Sequence, residues 1–159
     1  MGDTLKKSEL WGAVSVTVLG TMLHFFYEWS GKNPIVALFA PCNESTWEHL
    51  KLLFFPVLLY SLFQYRVVGK RYSGYITGRL AGVIGGALLI ISVFYGYMAI
   101  FGHPILWIDI SLFYAGVILC YYIAYAITLK GKISRWMEWL SGGCLAGIML
   151  LFFERTIRM

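Results

Sequence analysis

The side chains best suited to chemistry are concentrated between residues 24 and 51. This stretch holds two of the three histidines and three of the eight acidic residues of the chain. It contains an H-x3-E motif, at His24 and Glu28, and an E-x3-E-H motif that ends at Glu48 and His49. Two imidazoles with one to three carboxylates match the ligands of catalytic zinc, which leaves one coordination position to water. The motifs therefore predict a metal site or an acid–base pair, and a larger share of carboxylates would suit iron or manganese.

Each candidate residue has an expected role in such a site. Six residues are candidate ligands of a divalent metal, with zinc as the expected ion: His24, Glu28, Glu48, His49, His103 and Asp109. Five are candidate catalytic residues: Glu48, His24, Glu28, His49 and Lys51. We expect Glu48 to act as general base or ligand and the two histidines as ligands or proton carriers. Lys51 is expected to bind an anionic group of the substrate.

The same residues are also compatible with a structural role. Glu28 and Glu48 can pair with nearby basic side chains, and the histidines can form hydrogen bonds at a membrane interface. Glu44 has a simple explanation as an acid in the first turn of a helix, where the helix dipole favours it. A third interpretation is a site for a transported ligand.

The composition indicates a protein that resides in lipid. Hydrophobic residues make up 59% of the chain, charged residues 13%, and the mean hydropathy is +0.71. Soluble domains carry about 25% charged residues. The net charge of +5 does not indicate nucleic-acid binding, because the basic residues lie between apolar runs rather than in one patch. Three scattered cysteines predict neither a disulfide framework nor a cysteine metal site.

The apolar runs predict a single integral membrane domain, residues 1–159, with an all-α fold. About 20 apolar residues cross the hydrocarbon core of a bilayer. On that rule the chain is a transmembrane bundle of five helices, at about residues 9–29, 44–65, 74–101, 107–129 and 136–156. The first run is read as a retained span because no signal-peptide cleavage motif follows it. The second helix is expected to begin after Asn43, with Ser45 and Glu48 as an alternative capping box.

The basic residues predict the orientation of the bundle. Lys and Arg concentrate in the cytoplasmic connections of membrane proteins. Nine of the thirteen fall on the side of the N-terminus: Lys6, Lys7, Arg66, Lys70, Arg71, Arg79, Lys130, Lys132 and Arg135. This places the N-terminus in the cytoplasm and the C-terminus outside. All three histidines and most carboxylates then meet at the extracytoplasmic face.

Two further features concern packing and the first connection. Gly74, Gly78, Gly82 and Gly86 recur at every fourth residue of the third predicted helix, and Gly143 and Gly147 repeat the spacing in the fifth. Such ridges let membrane helices approach closely, within one chain or in a homo-oligomer. The ridge predicts a central place for the third helix. The apolar segment between Pro34 and Pro41 is too short to span and predicts a re-entrant or interfacial turn.

At this point the chain resembles a known group of proteins. His24-x3-Glu28 followed by APCNESTWEHLKL, from Ala40 to Leu52, is similar to a family of small multi-pass bacterial membrane proteins that has no assigned function. The resemblance implies a bacterial plasma membrane and supplies no activity. Cys42 stands where a small apolar residue such as valine is expected, and we assign it no role.

These observations favour a membrane-embedded hydrolase or transferase that depends on a metal or on a glutamate. Its activated water would attack a lipid-linked or other amphiphilic substrate at the extracytoplasmic face. The alternatives are a small carrier or ion-binding protein, and a non-catalytic membrane partner that assembles through the glycine ridges. No Gly-rich nucleotide-binding loop is present in the sequence.

Overall fold

The computed structural model describes residues 2–158 and confirms the all-helical bundle. The helices are α1 (Gly2–Trp29), α2 (Pro34–Ala37), α3 (Thr46–Val67), α4 (Tyr75–Phe101), α5 (Leu106–Lys130) and α6 (Arg135–Ile157), with a 3₁₀ turn at Gly69–Arg71. All except α2 are long and apolar enough to cross a membrane. The described residues form no strand. The chain is therefore a multi-pass helical membrane protein.

Helix α1 begins several residues before the predicted start, whereas the other long helices begin and end within two residues of the prediction. The extension is ordered because it packs. Leu5 is fully buried, and Glu9 is only 4% exposed. Asp3 lies in the first turn, where its negative charge interacts favourably with the positive end of the helix dipole. Hydropathy alone underestimated the length of α1 because it detects only the apolar part of the helix.

The glycine ridge of the third predicted helix brings α4 against α5. A Cβ atom added at Gly78 would lie 2.8 Å from the carbonyl oxygen of Ala124, and one added at Gly86 would lie 2.6 Å from that of Gly116. Gly82 makes an equally close approach to Cys120. Gly74 was predicted to belong to this packing ridge, but it is instead the N-cap residue of α4. Its φ of 93° is a conformation that glycine adopts without strain.

The ridge in α6 makes no such contact. Within the described part of the chain nothing lies within 4 Å of a Cβ built on Gly143 or Gly147. Intramolecular packing therefore does not explain these glycines. The helix with the largest buried share is α3, not the predicted α4. Helix α1 packs on α3 and α5, and α4 packs on α3, α5 and α6.

The first connection, predicted as a re-entrant or interfacial turn, contains the short helix α2. Asn33 caps α2, because its side-chain oxygen accepts a hydrogen bond from the Ile35 amide at 2.9 Å. Ala37 and Ala40 are buried, so this connection covers the end of the bundle. We call this end, where α1 ends and α3 begins, the histidine end. The opposite end, where α1 and α4 begin, is called the arginine end.

Candidate functional site

Three side chains converge at the histidine end in a geometry that suits a metal ion. One ligand atom from each of His24, Glu44 and His49 lies within 4.8 Å of the others. The centroids of the two imidazole rings are 5.3 Å apart. His49 Nε2 lies 3.4 Å from Glu44 Oε2. We refer to these three residues as the His–Glu group.

Local structure explains why Glu44 belongs to this group. The N-cap of α3 is Ser45, whose hydroxyl accepts a hydrogen bond from the Glu48 amide at 3.3 Å. Asn43 folds the preceding turn by accepting a hydrogen bond from the Ser45 amide at 2.9 Å. The helix therefore begins two residues later than expected, in the alternative register. Glu44 lies in the loop before the helix, and its side chain can reach the ring of His49.

A backbone carbonyl orients the ring of His49. Its Nδ1 lies 2.9 Å from the carbonyl oxygen of Ser45. A carbonyl only accepts, so Nδ1 carries a proton, and Nε2, which faces Glu44, is the ring nitrogen placed to bind a metal ion. Metal-binding histidines are held in the same way by a hydrogen bond at the second ring nitrogen.

His24 contributes an imidazole with one ring nitrogen that forms no hydrogen bond within the described residues. It lies near the end of α1 and is partly buried. Its Nδ1 is buried and has no hydrogen-bond partner among residues 2–158. Buried polar atoms normally have a partner, so this nitrogen marks a place where a bound species would be stabilised. The side chain of Glu44 is 87% exposed and can move toward such a species.

A cavity of about 320 Å³ lies next to the group. Its polar lining residues are Glu44, Thr46, His49 and Asp109. Its apolar lining residues are Leu52, Ile90, Phe94, Pro104, Leu112 and Phe113. Residues of α3, α4 and α5 thus line a space that combines polar and apolar side chains, which suits an amphiphilic molecule.

Two predicted site residues, Glu48 and Lys51, form a separate buried ion pair. Both are fully buried, with 2.7 Å between Lys51 Nζ and Glu48 Oε2. Lys51 Nζ also donates to the Ala37 carbonyl oxygen at 2.9 Å and to the Thr156 hydroxyl at 2.7 Å. All three ammonium protons therefore have acceptors. This geometry fits the structural interpretation, in which the two side chains pair with each other, and Glu48 Oε1 is buried without a partner among residues 2–158.

The helical repeat explains the difference between Glu48 and His49. Consecutive residues of a helix point about 100° apart, so the two side chains leave α3 on different sides. Glu48 points toward Cys42, whose amide and thiol lie 3.1 Å and 3.2 Å from its Oε2. Burial and the neighbouring carboxylate raise the pKa of the Cys42 thiol. Glu48 is thus replaced by Glu44 as the carboxylate near the histidines.

The other predicted ligands lie outside the His–Glu group. Glu28 is exposed and lies 3.9 Å from the ammonium group of Lys32. His103 is exposed in the turn after α4, with its Nδ1 3.2 Å from the carbonyl oxygen of Pro104. Asp109 accepts a short hydrogen bond from the hydroxyl of Tyr97 and lines the cavity. Only His24 and His49 of the six predicted ligands are in the group, and Asp109 lies on the adjacent cavity wall.

Sequence reasoning also missed a buried polar network at the arginine end. Arg79 is 2% exposed, and its Nη2 lies 2.6 Å from both carboxylate oxygens of Glu9. Gln64 accepts a short hydrogen bond from Arg79 and donates to Glu9 at 3.1 Å. The hydroxyl of Tyr75 donates to Gln64 at 2.9 Å. The sequence did contain a signal for this network. Glu9 and Arg79 lie in two predicted spans at a similar depth in the membrane, and opposite charges in spans usually pair when buried.

The comparisons with known proteins identify the family but no activity. No curated protein and no solved structure matches the chain. A model of a protein family matches residues 2–158, which is nearly the whole chain. The chain therefore belongs to DUF6512, a family of unknown function.

Proposed function

We propose that this membrane protein binds a zinc ion through His24, Glu44 and His49 and uses it to hydrolyse or transfer a group of an amphiphilic substrate. The observation that carries the proposal is the convergence of two imidazoles from α1 and α3 with a carboxylate from the intervening loop. The carbonyl of Ser45, which fixes the His49 ring, adds the second contact typical of a metal-binding histidine.

The chemistry follows from the ligand set. Two histidines and one glutamate are a ligand set of catalytic zinc, with the fourth position open to water. A zinc ion held by these residues would lower the pKa of a bound water to about 7 and so make it a nucleophile near neutral pH. In the net reaction the water oxygen would bond to an ester carbonyl carbon while the carbon–oxygen bond to the leaving alcohol breaks. The proton from the water goes to solvent at this open end, and the leaving alkoxide takes a proton from solvent.

The neighbouring cavity supports an amphiphilic substrate. The polar lining residues Thr46 and Asp109 suit the head group, and the apolar lining residues suit a hydrocarbon portion. Lipid-linked esters and phosphoesters in the bilayer have this two-part character. Such a substrate would place its polar bond beside His49 while its chain stays among apolar side chains.

The proposed location is the extracytoplasmic face of a bacterial plasma membrane. The distribution of basic residues supports it, because nine of the thirteen Lys and Arg residues lie at or near the arginine end. By the positive-inside rule that end is cytoplasmic. The His–Glu group then faces outward.

Metal analysis of purified protein tests the binding step. After loading with zinc and removal of excess ion, the unsubstituted protein should retain about one zinc per chain, as expected for a single three-ligand site. His24→Ala and His49→Ala should each retain almost none. His103→Ala is the matched control, since this histidine is at the same end but outside the group. Equal zinc in all four proteins, or none in any, would contradict the proposal.

Release of nitrophenol from a long-chain nitrophenyl ester tests the chemical step. The zinc-loaded protein should hydrolyse the ester, and His49→Ala should reduce the rate to that of the detergent blank. Zinc retention without hydrolysis of carboxyl or phosphate esters would contradict the catalytic part and favour an ion-binding or carrier role.

A further inference from the structure

A second cavity lies between α3, α4 and α6, in the half of the bundle that contains Arg79. Its volume is about 460 Å³, and nearly all of its lining is apolar. At the histidine end α6 meets α3 through Phe152, which packs on Trp47 and Phe54. Nearer the arginine end the cavity occupies the space between the same two helices. It shares no lining residue with the cavity at the histidine end.

Two residues that line the cavity have buried hydrogen-bond donors without acceptors among the described residues. Arg79 lines it and is 2% exposed, yet its Nε and Nη1 have no partner among residues 2–158. The hydroxyl of Ser61, on the same cavity wall, is also buried and has no partner in that range. Unpaired buried donors are rare and costly, so their presence on one apolar cavity indicates a missing acceptor.

The two neighbouring tyrosines do not pair with these donors. The hydroxyl of Tyr75 is committed to the carbonyl of Ser61 and to Gln64, and the buried hydroxyl of Tyr121 has no hydrogen-bond partner among residues 2–158. Arg79 also forms cation–π contacts with two tyrosine rings. Its Cζ lies 5.1 Å from the ring centroid of Tyr75 and 4.6 Å from that of Tyr121. Such contacts cover the guanidinium plane, whereas its N–H bonds point outward within that plane.

The charge of Arg79 limits the chemistry of the acceptor. Glu9 already neutralises the guanidinium through two contacts of 2.6 Å. A second anion would leave an uncompensated negative charge in a region of low dielectric constant, which is unfavourable. A neutral carbonyl oxygen accepts hydrogen bonds without adding charge. The apolar lining requires that this carbonyl be attached to a hydrocarbon chain.

We propose that this cavity binds a neutral lipid ester, such as a monoacylglycerol or diacylglycerol, with its ester carbonyl accepting hydrogen bonds from Arg79 and Ser61. The acyl chain lies against Phe54, Leu62 and Met149. The residues involved are distinct from the His–Glu group, so this proposal stands or fails independently of the zinc proposal.

Photolabelling of the full chain in detergent tests the proposal. The probe is a monoacylglycerol with a diazirine in its acyl chain, and the competitors are monoolein, oleate and octadecene. Labels should map to α3 and α6, and monoolein should compete at least tenfold better than octadecene, which has the chain but no acceptor. Equal competition by octadecene would show only apolar filling and overturn the proposal. Stronger competition by oleate would also overturn it, in favour of an anionic ligand.

Two substitutions separate the carbonyl contact from the shape of the cavity. Ser61→Ala removes one donor and should weaken monoolein competition about fivefold, the loss of one neutral hydrogen bond. Because the hydroxyl has no protein partner, the substitution should not lower thermal stability. Unchanged competition in Ser61→Ala would contradict a contact with the carbonyl.

Ala146→Phe fills the cavity from α6 and should reduce labelling at least tenfold. Cys144→Phe is its matched control, since it adds the same ring two residues away at an exposed position that does not line the cavity. Equal labelling in Ala146→Phe and Cys144→Phe would place the probe elsewhere and overturn the assignment.

Discussion

The histidine end contains two neighbouring polar groups that differ in how far their side chains are buried and in how many of their donors are used. In the Lys51–Glu48 pair the ammonium group has three acceptors and both side chains are excluded from solvent. In the His–Glu group the ligand atoms of His24 and His49 face a common space, and one imidazole nitrogen is buried without a partner. Use of all three ammonium donors indicates a structural role for Lys51 and Glu48, which we call the closed pair, although Glu48 Oε1 has no partner among residues 2–158. An unpartnered imidazole nitrogen beside two further ligand residues indicates a binding role for the His–Glu group.

The largest expected effect comes from breaking the closed pair. Lys51→Met leaves the Glu48 carboxylate buried without its cation, which should lower the free energy of unfolding by about 3–5 kcal/mol. It also removes the link from α3 to α2 and α6 through Ala37 and Thr156. Unfolding by a denaturing detergent, followed by circular dichroism, measures the change.

Two controls accompany this substitution. Lys32→Met breaks an exposed pair with Glu28 and should cost less than about 1 kcal/mol. The double variant Glu48→Leu, Lys51→Met removes both charges and should recover most of the lost stability. A small effect of Lys51→Met, or no recovery in the double variant, would contradict the structural assignment of the pair.

Zinc should have a smaller effect on the free energy of unfolding, and it should act only through the His–Glu group. A ligand at a hundredfold excess over its Kd stabilises the folded state by about 2.7 kcal/mol. We therefore expect zinc to raise the unfolding temperature of the unsubstituted protein and of His103→Ala. His24→Ala should unfold close to the unsubstituted protein without zinc and gain almost nothing when zinc is added. An equal gain in His24→Ala would show that zinc acts at another site.

The smallest expected effect is a change in the reactivity of Cys42, which borders the closed pair. Burial and the Glu48 carboxylate raise the pKa of its thiol. The reactive thiolate therefore forms at a higher pH than in a free cysteine, whose pKa is about 8.5. Alkylation of a Cys120→Ala, Cys144→Ala variant should have a pH midpoint above that of N-acetylcysteine. A midpoint at or below the reference would indicate that Cys42 is not held against the carboxylate.

The same shift has a consequence for stability. A thiol with a raised pKa in the folded state favours folding while it is protonated. Its contribution is fully present below the pKa of the unfolded chain and is lost as the pH rises through the folded pKa. Alkaline conditions should therefore weaken the folded state through Cys42, and Cys42→Ser should reduce that dependence.

The sequence predicted the bundle well because hydropathy reports directly on the spans. It also predicted the two histidines, since ionisable groups at the ends of apolar helices are costly and few. It chose Glu48 rather than Glu44 because the two carboxylates are one helical turn apart and both suit a helix start. Which carboxylate lies near the histidines depends on two features of α3. One is its N-cap at Ser45, and the other is its rotation about the helix axis, which turns Lys51 into the protein interior.

The arginine end shows a second limit of sequence reasoning. Arg79 was counted as one of the basic residues that set the orientation, and Glu9 as an acid on the same side. Their contact requires α1 and α4 to lie side by side, a tertiary relation that hydropathy does not encode. The same holds for the cavity at Ser61, which exists only because α6 leaves a space beside α3.

The most direct test of the central claim is zinc X-ray absorption spectroscopy of the metal-loaded protein. We predict a first shell of two imidazole nitrogens and carboxylate or water oxygens, at about 2.0–2.2 Å, with the multiple-scattering features of imidazole. His49→Ala, which should retain almost no zinc, should give no such first shell after the same loading. A shell of oxygen atoms alone, a sulfur ligand, or a spectrum unchanged by His49→Ala would contradict a zinc site formed by His24, Glu44 and His49.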